Sequence, residues 1–165
     1  MSIVRGTAPG NVHHPTKGVV VLHPKQSLLR FGIRIPVLIN IPTALATQLA
    51  SLGQPLPGPV RAVALLDTGA DTTVVDEEIV RSKLQLQPVG QGQQHGVSGL
   101  STTPVDFFAC SIEVQMGSVV EVMEMPQTMT GKLSGMGLGA LLGRDFLVDK
   151  MLIYDGDRGT WSLAK

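Results

Sequence analysis

Cysteine, aromatic residues and charges are all scarce in this chain. Cys110 is the only cysteine among 165 residues, so an intrachain disulfide is excluded and a thiolate zinc site is implausible. Aromatic residues make up 4% of the sequence and charged residues 16%, against roughly 25% charged residues in an average soluble domain. Because so few charges leave little polar covering, we expect part of the surface to be a subunit interface.

Long apolar runs and clusters of one charge sign are also missing. Thirteen basic and thirteen acidic residues give a formal charge of zero, and no Lys/Arg cluster favours nucleic acid as a partner. The apolar runs fall far short of the ~20 residues that cross a bilayer, and residues 1–18 have no signal-peptide core. We therefore expect a soluble protein without nucleic-acid or membrane partners, in a reducing compartment such as the cytoplasm.

The residues that are abundant favour short strands and many turns. Hydrophobic residues make up 43% of the chain and the mean hydropathy is +0.23, which is enough to bury a core, and there are 19 glycines and 11 prolines. The length suits one compact domain. We predict a flexible arm over residues 1–17 and a single mostly-β domain over residues 18–165, with one or two short helices.

Apolar and alternating segments give the expected order of elements. Strands are predicted at Gly18–Leu22, Leu28–Ile41 (one or two), Val60–Leu66, Thr72–Val75, Val105–Val114 and Val119–Met125, followed by a hairpin over Met151–Leu163. Helical segments are predicted at Thr43–Leu52 and Asp76–Lys83.

The strongest local signal is a carboxylate at the end of an apolar strand. The strand Val60–Leu66 runs directly into Asp67-Thr68-Gly69, and apolar residues resume soon after. This triplet alone occurs in a chain of this length about 3% of the time, and it is equally typical of a surface turn. A surface turn does not explain the apolar residues on both sides of the triplet. A carboxylate in apolar surroundings needs hydrogen-bond or charged partners, and its pKa can be perturbed as an acid–base catalyst requires.

Three elements in order resemble the retropepsins, the single-lobe aspartic proteases of retroviruses and their cellular and bacterial relatives. The first is Leu65–Asp71, the second is the glycine-bearing segment His95–Leu100, and the third is Leu141–Asp145. The resemblance covers about residues 58–165. It implies a closed β-barrel with a flap hairpin and a C-terminal hairpin, and it implies an aspartic endopeptidase that acts on polypeptides without a metal or cofactor.

The resemblance also implies the catalytic residues. Asp67 is the catalytic carboxylate, Thr68 takes part in hydrogen bonds between the two active-site loops of a dimer, and Gly69 lets backbone approach closely. Leu142 and Gly143 are implied to pack under the active-site loop. Arg144 is implied to pair with Asp71 of the same subunit, in an ion pair that we expect to be buried. The implied substrate-binding residues are Leu65, Ala70, Asp71, Val74, Gly96, Val97, Ser98, Gly99 and Leu141.

A single Asp-Thr-Gly triplet predicts a homodimer. Aspartic proteases use two carboxylates that share a proton, since neighbouring like charges do not both ionise. Asp71 is the nearest intrachain candidate, but the resemblance assigns it to Arg144. The remaining candidates lack a comparable setting: Asp145, Asp149, Asp155 and Asp157. The second carboxylate is therefore expected from Asp67 of a second copy, across a two-fold axis.

Two other functions remain open at this point. The chain could keep the fold as a non-catalytic dimerisation or peptide-binding module. It could also use Asp67 and Asp71 in metal-dependent phosphoryl transfer, although such sites usually need further acidic clusters and longer helices. The elements that form the dimer interface are left open, because about 60 residues precede the catalytic strand and a hairpin follows the third element.

Overall fold

The computed structural model describes residues 3–8, 11–14, 18–93, 95–96, 99–100 and 104–165. The described strands are β1 Ile3–Thr7, β2 Asn11–His14, β3 Gly18–Val21, β4 Arg34–Asn40, β5 Val60–Leu66, β6 Val74–Asp76, β7 Gly90–Gly92, β8 His95–Gly96, β9 Gly99–Leu100, β10 Val105–Met116, β11 Val119–Gly131, β12 Ala140–Leu142, β13 Met151–Asp155 and β14 Thr160–Ala164. The described helices are α1 Pro24–Phe31, α2 Thr43–Ser51 and α3 Arg144–Leu147, with a π-helical turn at Ile79–Lys83 and a 3-10 turn at Ser134–Met136. None of these helices has the length and apolar character needed to cross a membrane.

Six strands close into a ring at the centre of the fold. Their order is β11-β6-β12-β5-β4-β10, and the antiparallel pairing of β10 with β11 closes the ring. β6 and β11 run parallel, as do β5 and β12, and the other neighbours in the ring are antiparallel. Closure leaves these six strands without a free edge.

Alternate residues of β4 and of much of β10 fill the interior of the ring. This period-2 pattern is expected of strands with one face in a core, and each fully buried large aliphatic or aromatic side chain contributes about 1.5–3 kcal/mol. The strand predicted over Val105–Val114 is confirmed as the main part of β10. The buried side chains of β4 and β10 include Ile35, Val37, Ile39, Phe108, Cys110, Ile112 and Val114.

A separate three-stranded sheet, in the order β1-β14-β13, contains the predicted C-terminal hairpin. β1 pairs with β14 from Ile3↔Ala164 to Thr7↔Thr160. A Cβ at Gly6 would lie 2.5 Å from the Trp161 ring, so the indole packs on a residue without a side chain. Ile3–Thr7 lies within the segment predicted as an arm, and it pairs with a strand more than 150 positions away, which local patterns do not reveal. The division into an arm and a domain stays a prediction.

One predicted strand is partly a helix. Residues 28–31 were predicted to be extended, but they form the second half of α1. Pro24 occupies the first turn, His23 Nδ1 accepts a hydrogen bond from Lys25 N at 3.4 Å, and Gly32 ends the helix at φ 66°. These are helix start and stop signals, and the apolar run alone does not distinguish a helix from a strand.

The predicted fold class is confirmed as mostly β, with a closed barrel and short helices. The predicted helices correspond to α2 and to the π-helical turn, and α1 and α3 are additional. β8 and β9 form a hairpin where the flap was predicted. Val97 and Ser98, between them, lie outside the described residues.

Candidate active site

Asp67 is the first residue after β5. Its backbone N–H donates to Leu142 O at 2.9 Å, which continues the parallel pairing of β5 with β12. Its Oδ1 accepts a hydrogen bond from Gly69 N at 2.9 Å, the arrangement of an Asx turn. The side chain is half-buried, and Thr68 and Gly69 are exposed. The carboxylate therefore has a fixed orientation while one side of the turn stays open.

The segment after β12 binds the loop after Asp67. Arg144 N donates to Ala70 O at 2.9 Å, and Asp145 N donates to Asp71 O at 3.2 Å. A Cβ at Gly143 would lie 2.8 Å from the carbonyl carbon of Thr72, so the two backbones meet where only glycine fits. Leu142 is fully buried beneath this contact.

Thr73 and Asp145 form a buried link that the sequence analysis missed. Thr73 is fully buried, and its Oγ1 donates to Asp145 Oδ1 at 2.7 Å while its N–H donates to Asp145 Oδ2 at 2.8 Å. The same hydroxyl accepts a hydrogen bond from Gly143 N at 3.2 Å, and Phe146 N donates to Asp145 Oδ1 at 2.8 Å. A buried threonine next to an apolar strand needs a hydrogen-bond partner, but the sequence does not indicate which residue supplies it.

Arg144 and Asp71 form an ion pair on the surface. Their side chains are 56% and 79% exposed, so the expectation of a buried pair is wrong, although the pair itself is present. Arg144 Nη1 also donates to Thr68 O at 3.1 Å. Because exposed ion pairs contribute only about 0–1 kcal/mol, this arginine holds the loop chiefly through its hydrogen bond to backbone.

An apolar cluster lies on the outer side of the same strands. In the ladder of β5, β12 and β6, Leu141 pairs with Leu65 on one side and with Val74 on the other. Val74 is buried with Leu133 and Leu138, and Leu65, Leu141 and Met129 are partly buried against them. Three predicted substrate-binding residues are therefore brought together. Met129, Leu133 and Leu138 were not singled out from the sequence, because they carry no motif.

The other predicted substrate-binding residues are dispersed. Ala70 is half-buried in the loop after Asp67, and Asp71 is exposed. Gly96 and Gly99 pair with each other in the β8–β9 hairpin. No group of three or more His, Cys, Asp or Glu side chains in the described ranges is placed to hold a metal ion.

The chain was compared with known proteins at three levels. No protein-family model and no curated protein matches it. Among solved structures it is similar to the protease of EIAV in complex with the inhibitor HBY-793. The two are 21% identical, the match covers 71% of this chain and 86% of that chain, and the TM-score is 0.38.

Proposed function

We propose that this chain is an aspartic endopeptidase of the retropepsin type, active as a homodimer with one Asp67 from each subunit. The proposal rests on the structural environment of the Asp67 carboxylate. A carboxylate at the end of a barrel strand is oriented by Gly69 N–H, and its loop is bound by residues 142–145. No further hydrogen bond to this carboxylate is found within the described part of the chain, so Oδ2 is available to a water or a second carboxylate.

The proposed chemistry needs two carboxylates that share one proton. The ionised member takes a proton from a bound water, whose oxygen attacks the scissile carbonyl carbon. The neutral member donates its proton to the carbonyl oxygen. The tetrahedral intermediate then collapses, the C–N bond breaks, and the leaving amine takes up a proton, so that a new carboxyl and a new amine result.

The nearby carboxylates of the same chain already have ion-pair or hydrogen-bond partners. Asp71 pairs with Arg144, and Asp145 accepts hydrogen bonds from Thr73 and Phe146 N. This supports a second copy as the source of the second carboxylate. In that dimer Thr68, exposed beside Asp67, would meet its own copy, as residues on a two-fold axis do.

β13 offers a surface for the second copy. It is an edge strand of the three-stranded sheet, and Met151, Ile153 and Tyr154 are each more than half exposed. An exposed edge strand with apolar side chains favours pairing with another chain. This agrees with the low content of charged residues.

The remaining roles are part of the same proposal. Leu142, Gly143 and Arg144 would hold the active-site loop, and the β8–β9 hairpin would close over bound polypeptide as a flap. The residues that would contact the substrate are Leu65, Ala70, Asp71, Val74, Gly96, Val97, Ser98, Gly99 and Leu141.

Asp67→Asn tests the proposal, because asparagine keeps the shape of the side chain and cannot share the proton. The wild-type chain is expected to cleave members of a peptide library at acidic pH, without added metal, and a statine-containing peptide should inhibit it. The variant should lose at least roughly a thousandfold in kcat/KM. Sedimentation should give twice the 17.5 kDa chain mass for both proteins.

Asp157→Asn is the matched control, since Asp157 is an exposed acid paired only with Lys25 in the described residues. It should cleave like the wild type. A wild-type dimer that cleaves no peptide would favour the non-catalytic module instead. Full turnover by D67N would refute the role of Asp67.

A further inference from the structure

A second carboxylate, Asp76, is buried at the end of β6, and this residue binds the loop between β11 and β12 near both of its ends. Asp76 is 4% exposed. Its Oδ2 accepts hydrogen bonds from Leu133 N at 2.7 Å and Ser134 N at 2.8 Å, and its own N–H donates to Gly139 O at 2.9 Å. Its Oδ1 accepts from Glu78 N at 3.0 Å. One residue thus joins the beginning and the end of the segment 131–139, which we call the glycine loop.

The glycine loop depends on such contacts for its shape. It contains glycine at 131, 135, 137 and 139, and Gly137 has φ 68°, in the left-handed region. Glycines give the backbone many alternative conformations, so a loop rich in them is ordered mainly by what binds it. Within the described residues, Asp76 is the side chain that binds the loop backbone through an ionisable group.

The glycine loop supplies two side chains to the apolar cluster beside Asp67. Leu133 and Leu138 are both 4% exposed and pack with Val74. Leu66 points into the barrel, so strand alternation places Leu65 on the outer side, the side of this cluster. Leu65 is two residues before Asp67, so the cluster forms an apolar wall next to the carboxylate.

We propose that Asp76 is a positioning residue for substrate specificity. It fixes the glycine loop so that Leu133 and Leu138 close the apolar wall, and the wall selects peptides with an aliphatic side chain next to the scissile bond. This inference rests on the proposed peptidase function. Asp76 itself touches neither the substrate nor the reacting atoms.

The test compares two peptides that differ at one residue. One is a peptide that the wild type cleaves beside a large aliphatic residue, and the other has the much smaller alanine at that position. The ratio of their kcat/KM values does not depend on the active fraction of the enzyme, so partial unfolding leaves it unchanged. Asp76→Asn should lower this ratio roughly tenfold, because asparagine has one acceptor oxygen where three N–H groups need two.

Two further variants complete the design. Glu78→Gln is the matched control, since the Glu78 side chain pairs with Lys83 and does not bind the glycine loop. It should leave the ratio unchanged. Leu138→Ala should also lower the ratio, because it opens the apolar wall directly. If D76N does not fold, this variant still tests whether the wall selects the aliphatic peptide.

Amide hydrogen exchange supplies a readout that needs no catalysis. In the wild type the amides of Leu133 and Ser134 should be protected, and D76N should expose them to faster exchange. A ratio that stays within twofold of the wild type in D76N, or unprotected amides in the wild type, would overturn the role of Asp76. A wild type that cleaves no peptide would instead refute the peptidase proposal, while the exchange data still decide whether Asp76 holds the loop.

Discussion

Single side chains in this protein act mainly by satisfying buried backbone. Thr73 and Asp145 illustrate this, since each makes several hydrogen bonds that join the loop after Asp67 to α3. The exposed pair of Arg144 and Asp71 is more visible in the sequence but contributes less. At the scale of residues, the hydrogen bonds from buried Thr73 to the Asp145 carboxylate therefore contribute more stability than the exposed ion pair.

Thr73→Val should destabilise the protein by about 1–3 kcal/mol, because valine keeps the shape but leaves Gly143 N–H and Asp145 Oδ1 short of a partner. Urea unfolding followed by circular dichroism would measure the change. Thr47→Val is the control, since among the described residues the exposed Thr47 hydroxyl bonds only within α2, and its effect should stay within about 0.5 kcal/mol. Equal effects of the two variants would contradict the proposed importance of the link.

At the scale of elements, the sequence predicted best where local pattern and tertiary environment agree. β5, β10 and α2 follow from alternation or helix-forming composition, and Asp67 follows from a motif at a strand end. The prediction of a strand over residues 28–31 was wrong, because an apolar run fits a helix as well as a strand. The Thr73–Asp145 link and the contacts of Asp76 could not be predicted, because they join positions about 60 to 70 residues apart that carry no shared local signal.

Four charged side chains form a network that joins separate elements of the fold. The side chain of Lys150 is fully buried, and its Nζ lies 3.1 Å from Glu121 Oε1 and 2.7 Å from Asp149 Oδ1. Lys165 pairs with the same two acids. This network links β11, the turn before β13 and the residue after β14. Hydrogen bonds from Lys150 and then Lys165 lower the pKa of Asp149 to about 2.

The network predicts an acid-dependent loss of stability. Because the pKa of Asp149 is lowered on folding, its contribution is present above the ordinary value of 3.8 and is lost as the pH falls from 4 towards 2. Asp149→Asn should therefore lower the melting temperature at neutral pH, and the difference from the wild type should shrink through this range. Asp157→Asn serves for comparison, since its partner Lys25 is exposed and its effect should be smaller. A constant difference at all pH values would contradict the assignment.

At the scale of the whole molecule, the closed ring separates the interior from solvent. Cys110 is fully buried there, and burial raises the pKa of its thiol to about 11. A thiol in this setting reacts only when the barrel opens, because the thiolate is the reactive species and it is disfavoured inside. The single cysteine is therefore a natural reporter of global unfolding.

Cys110 should resist alkylation in the native protein and react completely in concentrated urea. Mass spectrometry after iodoacetamide treatment at mildly alkaline pH would show this. In the variant Ser51→Cys, which adds a thiol at an exposed position of α2, one label should attach natively and Cys110 should stay unmodified. Native labelling of Cys110 at the rate of the added thiol would show that the barrel is open on the timescale of the reaction.

The insertion of β12 between β5 and β6 has a consequence for biosynthesis. β5 and β6 follow each other along the chain, yet the strand that separates them and the turn that binds their connection are made more than sixty residues later. A growing polypeptide therefore emerges with its aspartate segment unsupported, and that segment takes its final shape only after residue 145 has left the ribosome. Under the proposed function, the active site would therefore form only after this part of the chain has been synthesised.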